Sequence, residues 1–268
     1  MIIEESGLAS VNVVLFDRAD GLRRSHLHMG NNCMTKIFAH RGYRAKYPEN
    51  TMLAFKKAIE TGCYGIELDV QLSKDGAVVI IHDENVKRTT NSSGAVCDLT
   101  IAQLRELDAG HGERIPLLSE YLDLVVELPL ITNIELKNSV IPYDGMEKRV
   151  LEMVRSHGLS ERIIFSSFNH ASVNKMKKLA PDIFCGYICS GKLDGESLAA
   201  SMRETGVEFI HPHIKSLDGE FMEAVRKNNI DINIFTVNDV GVAKRLISQG
   251  VYGIFTDDPH LLADEALK

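Results

Sequence analysis

The chain has 268 residues, 44% of them hydrophobic, and a formal net charge of −7 at pH 7. This length suits one large α/β domain, and the acidic balance argues against a nucleic-acid partner, which would need a basic patch. No segment approaches the roughly 18 apolar residues of a membrane span, so no transmembrane segment is expected. The five cysteines lack zinc-type spacing and no secretory signal is convincing, so the sequence predicts a protein of the reducing cytoplasm.

The first part of the chain carries none of the motifs described below. Residues 1–34 are therefore predicted to be an N-terminal extension without assigned structure, and residues 35–268 a single domain. Within the extension, residues 11–16 belong either to an unstructured leader or to a strand that packs on the domain or on a partner. Met34 lies directly before the first predicted strand, which favours the leader.

The first elements of the domain are predicted as a strand, a helix and a β-hairpin. Residues 37–39 form an apolar strand, and Asn50 is predicted to cap the helix that follows. Residues 64–70 form a second strand, and an Asp-Gly pair predicts a tight turn before the apolar residues 77–81. Because this connection is too short for a parallel crossover, the returning strand must be a hairpin arm attached to strand 2.

The remainder of the chain predicts a regular alternation of strands and helices. A polar insertion, about 84–118, comes first and forms a small excursion above the sheet, with one helix over residues 101–107. Further strands are predicted over residues 131–136, 163–167, 184–188, 208–211, 231–235 and 253–256, and helices near 146–157, 171–179, 195–205, 219–227 and 239–248. Eight barrel strands result, each but the last followed by a helix, and this pattern predicts a (β/α)₈ TIM barrel.

Acidic side chains stand at the strand ends where such barrels place their active sites. Glu67 and Asp69 are two residues apart on a strand, so they point to the same face, and Glu135 arrives in the same way from the next barrel strand. Inward carboxylates are costly unless they are paired or bound to metal. They form either a hard-oxygen site suited to Mg²⁺ or Ca²⁺, or a salt-bridged layer with Arg41 or Lys137 as counter-charge.

Basic and imidazole side chains accompany these acids. Lys137 lies two residues after Glu135 on the same face, and it can contact a phosphate oxygen, as can the guanidinium of Arg41. His40 and His82 titrate near neutral pH and are candidates for general acid and base, although a lone histidine at a strand end is more often structural. Which of the two is acid and which is base stays open.

The motifs that contain these residues occur in a fixed order along the chain. They are His40-Arg41-Gly42, Pro48-Glu49-Asn50-Thr51, Glu67-Leu68-Asp69, His82-Asp83, Arg88-Thr89-Thr90, Ile134-Glu135-Leu136-Lys137, Ser166-Ser167-Phe168, Thr236-Val237-Asn238 and Thr256-Asp257-Asp258-Pro259. Together they resemble the glycerophosphodiester phosphodiesterase family over residues 35–262. The resemblance implies a TIM barrel, one divalent cation on the three acids, and a histidine acid/base pair.

The same resemblance implies a substrate and leaves some details open. The expected reaction is the hydrolysis of a small-molecule glycerophosphodiester to an alcohol and sn-glycerol 3-phosphate. His211 either lines the pocket or has a structural role, and Phe235 keeps an aromatic wall where many relatives carry Trp. Alternatives are a lysophospholipase D-type phosphodiesterase, a metal-dependent sugar-phosphate lyase or isomerase, and a non-catalytic barrel. The sequence leaves the oligomeric state open and is compatible with a homo-oligomer.

Overall fold

A computed structural model describes residues 34–266 of the chain. The predicted extension, apart from Met34, lies outside the described residues. The strands are β1 (Lys36–His40), β2 (Gly65–Leu72), β3 (Val78–Ile80), β4 (Ile131–Leu136), β5 (Ile163–Ser167), β6 (Phe184–Cys189), β7 (Phe209–Pro212), β8 (Asp231–Ile234) and β9 (Gly253–Thr256). The helices are α1 (Met52–Glu60), α2 (Ile101–Arg105), α3 (Leu118–Val125), α4 (Met146–Ser156), α5 (His170–Leu179), α6 (Gly195–Thr205), α7 (Gly219–Lys227), α8 (Val240–Ser248) and α9 (Pro259–Ala266).

Eight parallel strands of the described region close into a barrel. Their order is β1-β9-β8-β7-β6-β5-β4-β2, and β2 pairs in turn with β1. The predicted (β/α)₈ barrel is therefore confirmed. Within residues 34–266, no helix is both long and apolar enough to cross a membrane.

The ninth strand is the predicted hairpin arm. β3 runs antiparallel to β2, with Val70 opposite Ile80, and the turn between them contains Gly76 at a φ of 82°. The excursion beyond β3 forms a small apolar core together with the hairpin arm. Its buried members are Val79, Ile81, Val86, Val96, Leu104, Ala109 and Ile115. The excursion is thus a folded unit that rises from the hairpin.

Side chains inside the barrel form an apolar floor with a polar layer above it. Phe38 on β1 packs against Phe255 at 5.1 Å between ring centroids, and both belong to one buried aromatic cluster. His40 lies two residues after Phe38 and therefore points to the same interior face. Gly186 leaves room for this layer, because a Cβ there would lie 2.6 Å from Nε2 of His211.

Helix α1 begins one residue later than expected. Thr51, not Asn50, is the N-cap, and its hydroxyl oxygen accepts a hydrogen bond from the backbone amide of Ala54 at 3.2 Å. Asn50 has a φ of 56°, a conformation that Asn adopts more readily than most residues. Its Nδ2 donates to Oδ2 of Asp69 at 2.8 Å, so the predicted cap was wrong because this side chain serves a buried carboxylate.

The expectation that no helix follows the last strand is also wrong. Helix α9 begins at Pro259. Proline suits the first turn of a helix because backbone N–H groups there have no acceptor within the helix, so its lack of an N–H costs no hydrogen bond. Leu262 on this helix is buried, and α9 contacts β1 and α8. The helix therefore covers the seam where the barrel closes.

Candidate active site

A cavity of about 300 Å³ opens at the C-terminal ends of the barrel strands. Its lining residues are His40, Arg41, Arg44, Glu67, His82, Asn133, Glu135, Phe168, Ile188, His211, His213, Phe235, Thr236 and Phe255. Two further predicted site residues lie directly behind this wall. Lys137 donates to Oε1 of Glu135 at 2.7 Å, and Asp69 lies 3.3 Å from Nε of Arg41. The structure thus brings all the predicted site residues together.

The three predicted acids form one buried cluster. Each of Glu67, Asp69 and Glu135 offers a carboxylate oxygen, and these oxygens lie within 4.8 Å of one another. The barrel register explains the contact, because Asp69 lies opposite Glu135 on β4. One oxygen of Asp69, Oδ1, is buried and accepts no hydrogen bond from any described residue. Hard oxygen donors with an unused buried lone pair fit a divalent cation such as Mg²⁺ or Ca²⁺.

The acids titrate differently because their surroundings differ. Burial and the nearby charge of Asp69 raise the pKa of Glu67 well above its ordinary value. Burial and the same neighbour raise the pKa of Glu135 to about 7. Burial acts in the same direction on Asp69, but the charges of Arg41 and Lys137 outweigh it and hold the pKa of Asp69 low. Without a cation the cluster therefore retains protons, and a cation must displace them.

His40 and His82 are oriented in the same way by different carboxylates. Nδ1 of His40 donates to Oδ1 of Asp257 at 2.7 Å, and Nδ1 of His82 donates to Oδ1 of Asp83 at 2.6 Å. These bonds fix the tautomer in which Nε2 is the acceptor, and Nε2 of His82 accepts from Lys137 at 3.1 Å. Burial lowers the pKa of both histidines, so the neutral imidazole is favoured in each.

The opposite wall of the cavity is aromatic. The Phe235 ring makes edge-to-face contacts with Phe168 and His213, at centroid distances of 6.2 Å and 5.3 Å. His211 is almost fully buried, and burial lowers its pKa to about 3, so it is a neutral wall residue. Its Nε2 accepts from Asn233 at 3.1 Å. The cavity therefore has one charged side and one side that is aromatic and neutral.

Sequence reasoning missed several residues that complete the site. Asp257 supports His40 across the closure of the barrel, and Asn50 supports Asp69. Arg44 lines the cavity, and Glu49 accepts from Arg41 at 2.8 Å. Asp257, Asn50 and Glu49 stood inside the quoted motifs, which was the available signal. Their side-chain partners could not be derived from spacing, because each contact joins separate segments.

Acidification is expected to destabilise the protein through Glu49. Burial raises its pKa, but Arg88, Arg41 and Arg44 outweigh burial and lower the pKa from 4.5 to about 2. A depressed carboxyl pKa contributes stability that is complete above the unfolded value and is lost as the pH falls towards the folded value. Urea unfolding between about pH 6 and about pH 3 should show a steeper loss for the wild type than for Glu49→Gln. Parallel curves would contradict this.

Comparison with known proteins agrees with this geometry. Residues 40–261 match the model of the Glycerophosphoryl diester phosphodiesterase family. A glycerophosphodiester phosphodiesterase of Caldanaerobacter subterraneus subsp. tengcongensis is 41% identical, covering 85% of this chain and 96% of the relative. The glycerophosphodiester phosphodiesterase of Bacillus altitudinis is 40% identical, covering 88% and 98%.

A solved structure extends the comparison to three dimensions. An Oleispira antarctica phosphodiesterase in complex with the product sn-glycerol-3-phosphate superposes with a TM-score of 0.79. It is 29% identical, and the match covers 88% of this chain and 98% of that one. The family match spans seven of the eight barrel strands completely, the last residue of β1 and all the cavity residues. This chain therefore belongs to the glycerophosphoryl diester phosphodiesterase family and is an enzyme of that class, a phosphoric diester hydrolase.

Proposed function

We propose that this enzyme hydrolyses glycerophosphodiesters to an alcohol and sn-glycerol 3-phosphate, using one divalent cation and a histidine acid/base pair. The observation that carries the proposal is the position of His40 and His82 in one cavity with the buried acids Glu67 and Glu135. The Oleispira antarctica relative was solved in complex with the product sn-glycerol-3-phosphate, which supports a reaction in which the alcohol leaves and the phosphate stays on glycerol.

Charge complementarity supports the binding of a phosphodiester anion. Glu67, Asp69 and Glu135 would hold the cation, which supplies Lewis-acid stabilisation of charge on the phosphoryl group. Arg41 and Lys137 border the same acids and are the cationic side chains that would bind the phosphate oxygens. His40 and His82 present Nε2 for proton transfer, one removing a proton from the attacking hydroxyl and the other protonating the leaving alkoxide.

The attacking oxygen belongs either to water or to the glycerol 2-hydroxyl of the substrate. Attack by water breaks the phosphorus–oxygen bond to the alcohol directly, and the proton taken from water balances the one given to the alkoxide. Attack by the 2-hydroxyl forms a cyclic phosphate, which water then opens. A substrate that lacks the 2-hydroxyl distinguishes these routes, because only the water route keeps its turnover.

A substrate screen tests the proposed function. The enzyme is assayed with glycerophosphodiesters and with the matching lysophospholipids, each with Mg²⁺ or Ca²⁺, and released alcohol and sn-glycerol 3-phosphate are measured. We expect deacylated substrates to be preferred, because a cavity of about 300 Å³ matches a small diester in size. Preference for lysophospholipids would instead establish the lysophospholipase D-type alternative. Family membership does not support the sugar-phosphate lyase or isomerase.

We also propose that residues 1–33 are dispensable for catalysis. The family match and every lining residue of the cavity come after Met34. A chain beginning at Met34 is expected to keep the fold, kcat and KM of the full chain, measured by circular dichroism and steady-state kinetics. A loss of solubility or turnover on truncation would contradict this division of the chain.

A further inference from the structure

Glu49 contacts three arginine side chains in a charged network beside the cavity. Its carboxylate accepts a hydrogen bond from Nη1 of Arg41 at 2.8 Å. It also accepts a bidentate pair of hydrogen bonds from Arg88, at 2.9 Å and 2.8 Å. Nη2 of Arg44 lies 3.4 Å from the same carboxylate, whose side chain is only 10% exposed. Each of these three guanidinium groups also pairs with a second carboxylate, Arg41 with Asp69, Arg88 with Asp83 and Arg44 with Asp257, so Glu49 connects three ion pairs.

One branch of this network leads to His82. Nε of Arg88 donates to Oδ2 of Asp83 at 2.6 Å, and its Nη2 donates to Oδ1 at 3.0 Å. Asp83 in turn accepts from Nδ1 of His82. Glu49, Arg88, Asp83 and His82 therefore form an unbroken series of charge-assisted hydrogen bonds, which are stronger and more directional than neutral ones.

The other branch leads to the phosphate side of the cavity. The backbone amide of Arg41 donates to Oε2 of Glu67 at 2.9 Å, and its Nε lies 3.3 Å from Asp69. Bonding to Glu49 fixes the outer end of the same guanidinium. Glu49 thus contacts Arg41 directly and reaches His82 through two intermediates.

The topology shows what such a link can add. Arg41 follows a barrel strand, whereas His82 follows the three-residue arm β3. The main chain at this point is held by β2, because Nε2 of Gln71 donates a hydrogen bond to the carbonyl of His82 at 2.9 Å. This bond fixes the main chain of His82, whereas the direction of its imidazole depends on the side chains of Asp83 and Lys137. Glu49, in the loop between β1 and α1, bridges these two segments.

We propose that Glu49 is a positioning residue that orients two side chains of the site: the phosphate-binding guanidinium of Arg41 directly, and the proton-transfer imidazole of His82 through Arg88 and Asp83. This inference rests on the proposed function of both residues. Removing a hydrogen-bond partner that orients a metal ligand typically costs about 10- to 100-fold in activity, and we expect a loss of similar size for a partner that orients a proton-transfer group. Loss of Glu49 would lower kcat, because Arg88 would no longer be held against Asp83. It would also raise KM, because Arg41 would lose a partner that orients it for the phosphate.

Steady-state kinetics of the metal-loaded enzyme on a glycerophosphodiester separate the two branches. Arg88→Gln is expected to lower kcat about 10-fold with KM close to that of the wild type. Glu49→Gln is expected to lower kcat to a similar extent and also to raise KM. The two variants break the His82 branch at different bonds, so the test does not depend on the folding of one of them.

Glu113→Gln is the matched control. Glu113 also ties the excursion to the start of α1, because its Oε2 accepts from the amide of Leu53 at 3.2 Å. This hydrogen bond involves no arginine, so Glu113→Gln should lower the melting temperature and leave kcat unchanged. If Glu49→Gln also lowers the melting temperature without changing kcat, Glu49 only stabilises the fold and the inference is overturned.

A second background tests whether the effect passes through His82. In His82→Ala, the additional change Glu49→Gln should no longer lower kcat, while its effect on KM should remain. A full additional loss of kcat in that background would overturn the inference, because the effect would then bypass the imidazole.

Nuclear magnetic resonance gives a readout that needs no activity. The Nδ1–H signal of His82, identified by its disappearance in His82→Ala, should be sharp in the wild type and in Glu113→Gln. It should broaden in Glu49→Gln and in Arg88→Gln, and an unchanged signal in both would overturn the inference. If the wild type hydrolyses no glycerophosphodiester, the proposed function fails, and this measurement still decides the role of Glu49.

Discussion

Glu67→Gln is expected to abolish turnover while the barrel remains folded. The change removes one of three carboxylates that lie within 4.8 Å of one another, and with it a charged ligand of the proposed cation. Because burial and Asp69 raise the pKa of Glu67, its ionised form is destabilising, so the metal-free variant should be at least as stable as the metal-free wild type. Turnover, circular dichroism and thermal melting measure these effects.

Removal of the proposed cation should reproduce the loss of turnover in the wild type. Chelation is expected to stop turnover and to lower the melting temperature, because a ligand that binds only the native state stabilises it. Affinity for the cation should weaken below about pH 7, since protons compete for Glu135, whose pKa is about 7. Turnover that survives exhaustive chelation would contradict the metal dependence.

Glu208→Gln is the control for this experiment. Glu208 is also partly buried and paired, contacting Lys177 and accepting from the amide of Cys185 at 3.0 Å, but it lies at the start of β7, away from the cavity. Its substitution should lower stability and leave metal dependence and kcat unchanged. A loss of turnover in both variants would show that a buried charge, not a metal ligand, had been removed.

His40→Ala and His82→Ala are each expected to lower kcat by about 10²–10⁴-fold, the usual contribution of a proton-transfer group. Each imidazole is held by a carboxylate at Nδ1 and faces the cavity. Metal affinity should be retained, because neither side chain belongs to the acidic cluster. If one histidine donates a proton and the other accepts one, the rate should depend on pH with a bell shape.

The acid can be identified with an activated substrate. A nitrophenyl ester leaves with little protonation, so the variant whose turnover recovers on this substrate has lost the general acid. A near-wild-type kcat for either alanine variant on a natural glycerophosphodiester would make that histidine structural. His157→Ala is a control, since His157 bonds to the carbonyl of Met153 on α4, remote from the cavity.

Local periodicity was sufficient to predict much of the barrel. The alternation of side chains along β2 correctly placed Glu67 and Asp69 on the interior face, and Leu68 on the face that packs against the helices. The Asp-Gly turn identified β3 as an antiparallel arm. These features depend on residues close in the chain, so backbone geometry and hydrophobic spacing determine them.

Longer-range contacts were not accessible in this way. Asn50 was predicted as a helix cap, yet its amide binds Asp69 on another element. The support of His40 by Asp257 exists only because β1 pairs with β9 when the barrel closes. No periodicity within a segment encodes a partner that lies in a different segment.

The sequence by itself thus determined the fold class and the hairpin, and it placed the candidate site residues at the strand ends that meet at one rim. The tertiary structure decided how they are connected: which carboxylate orients each histidine, and how Glu49 joins Arg41 to Arg88. The physical reason is that side-chain direction follows from local backbone geometry. Hydrogen-bond partnership, by contrast, depends on the closed barrel bringing distant loops to one rim.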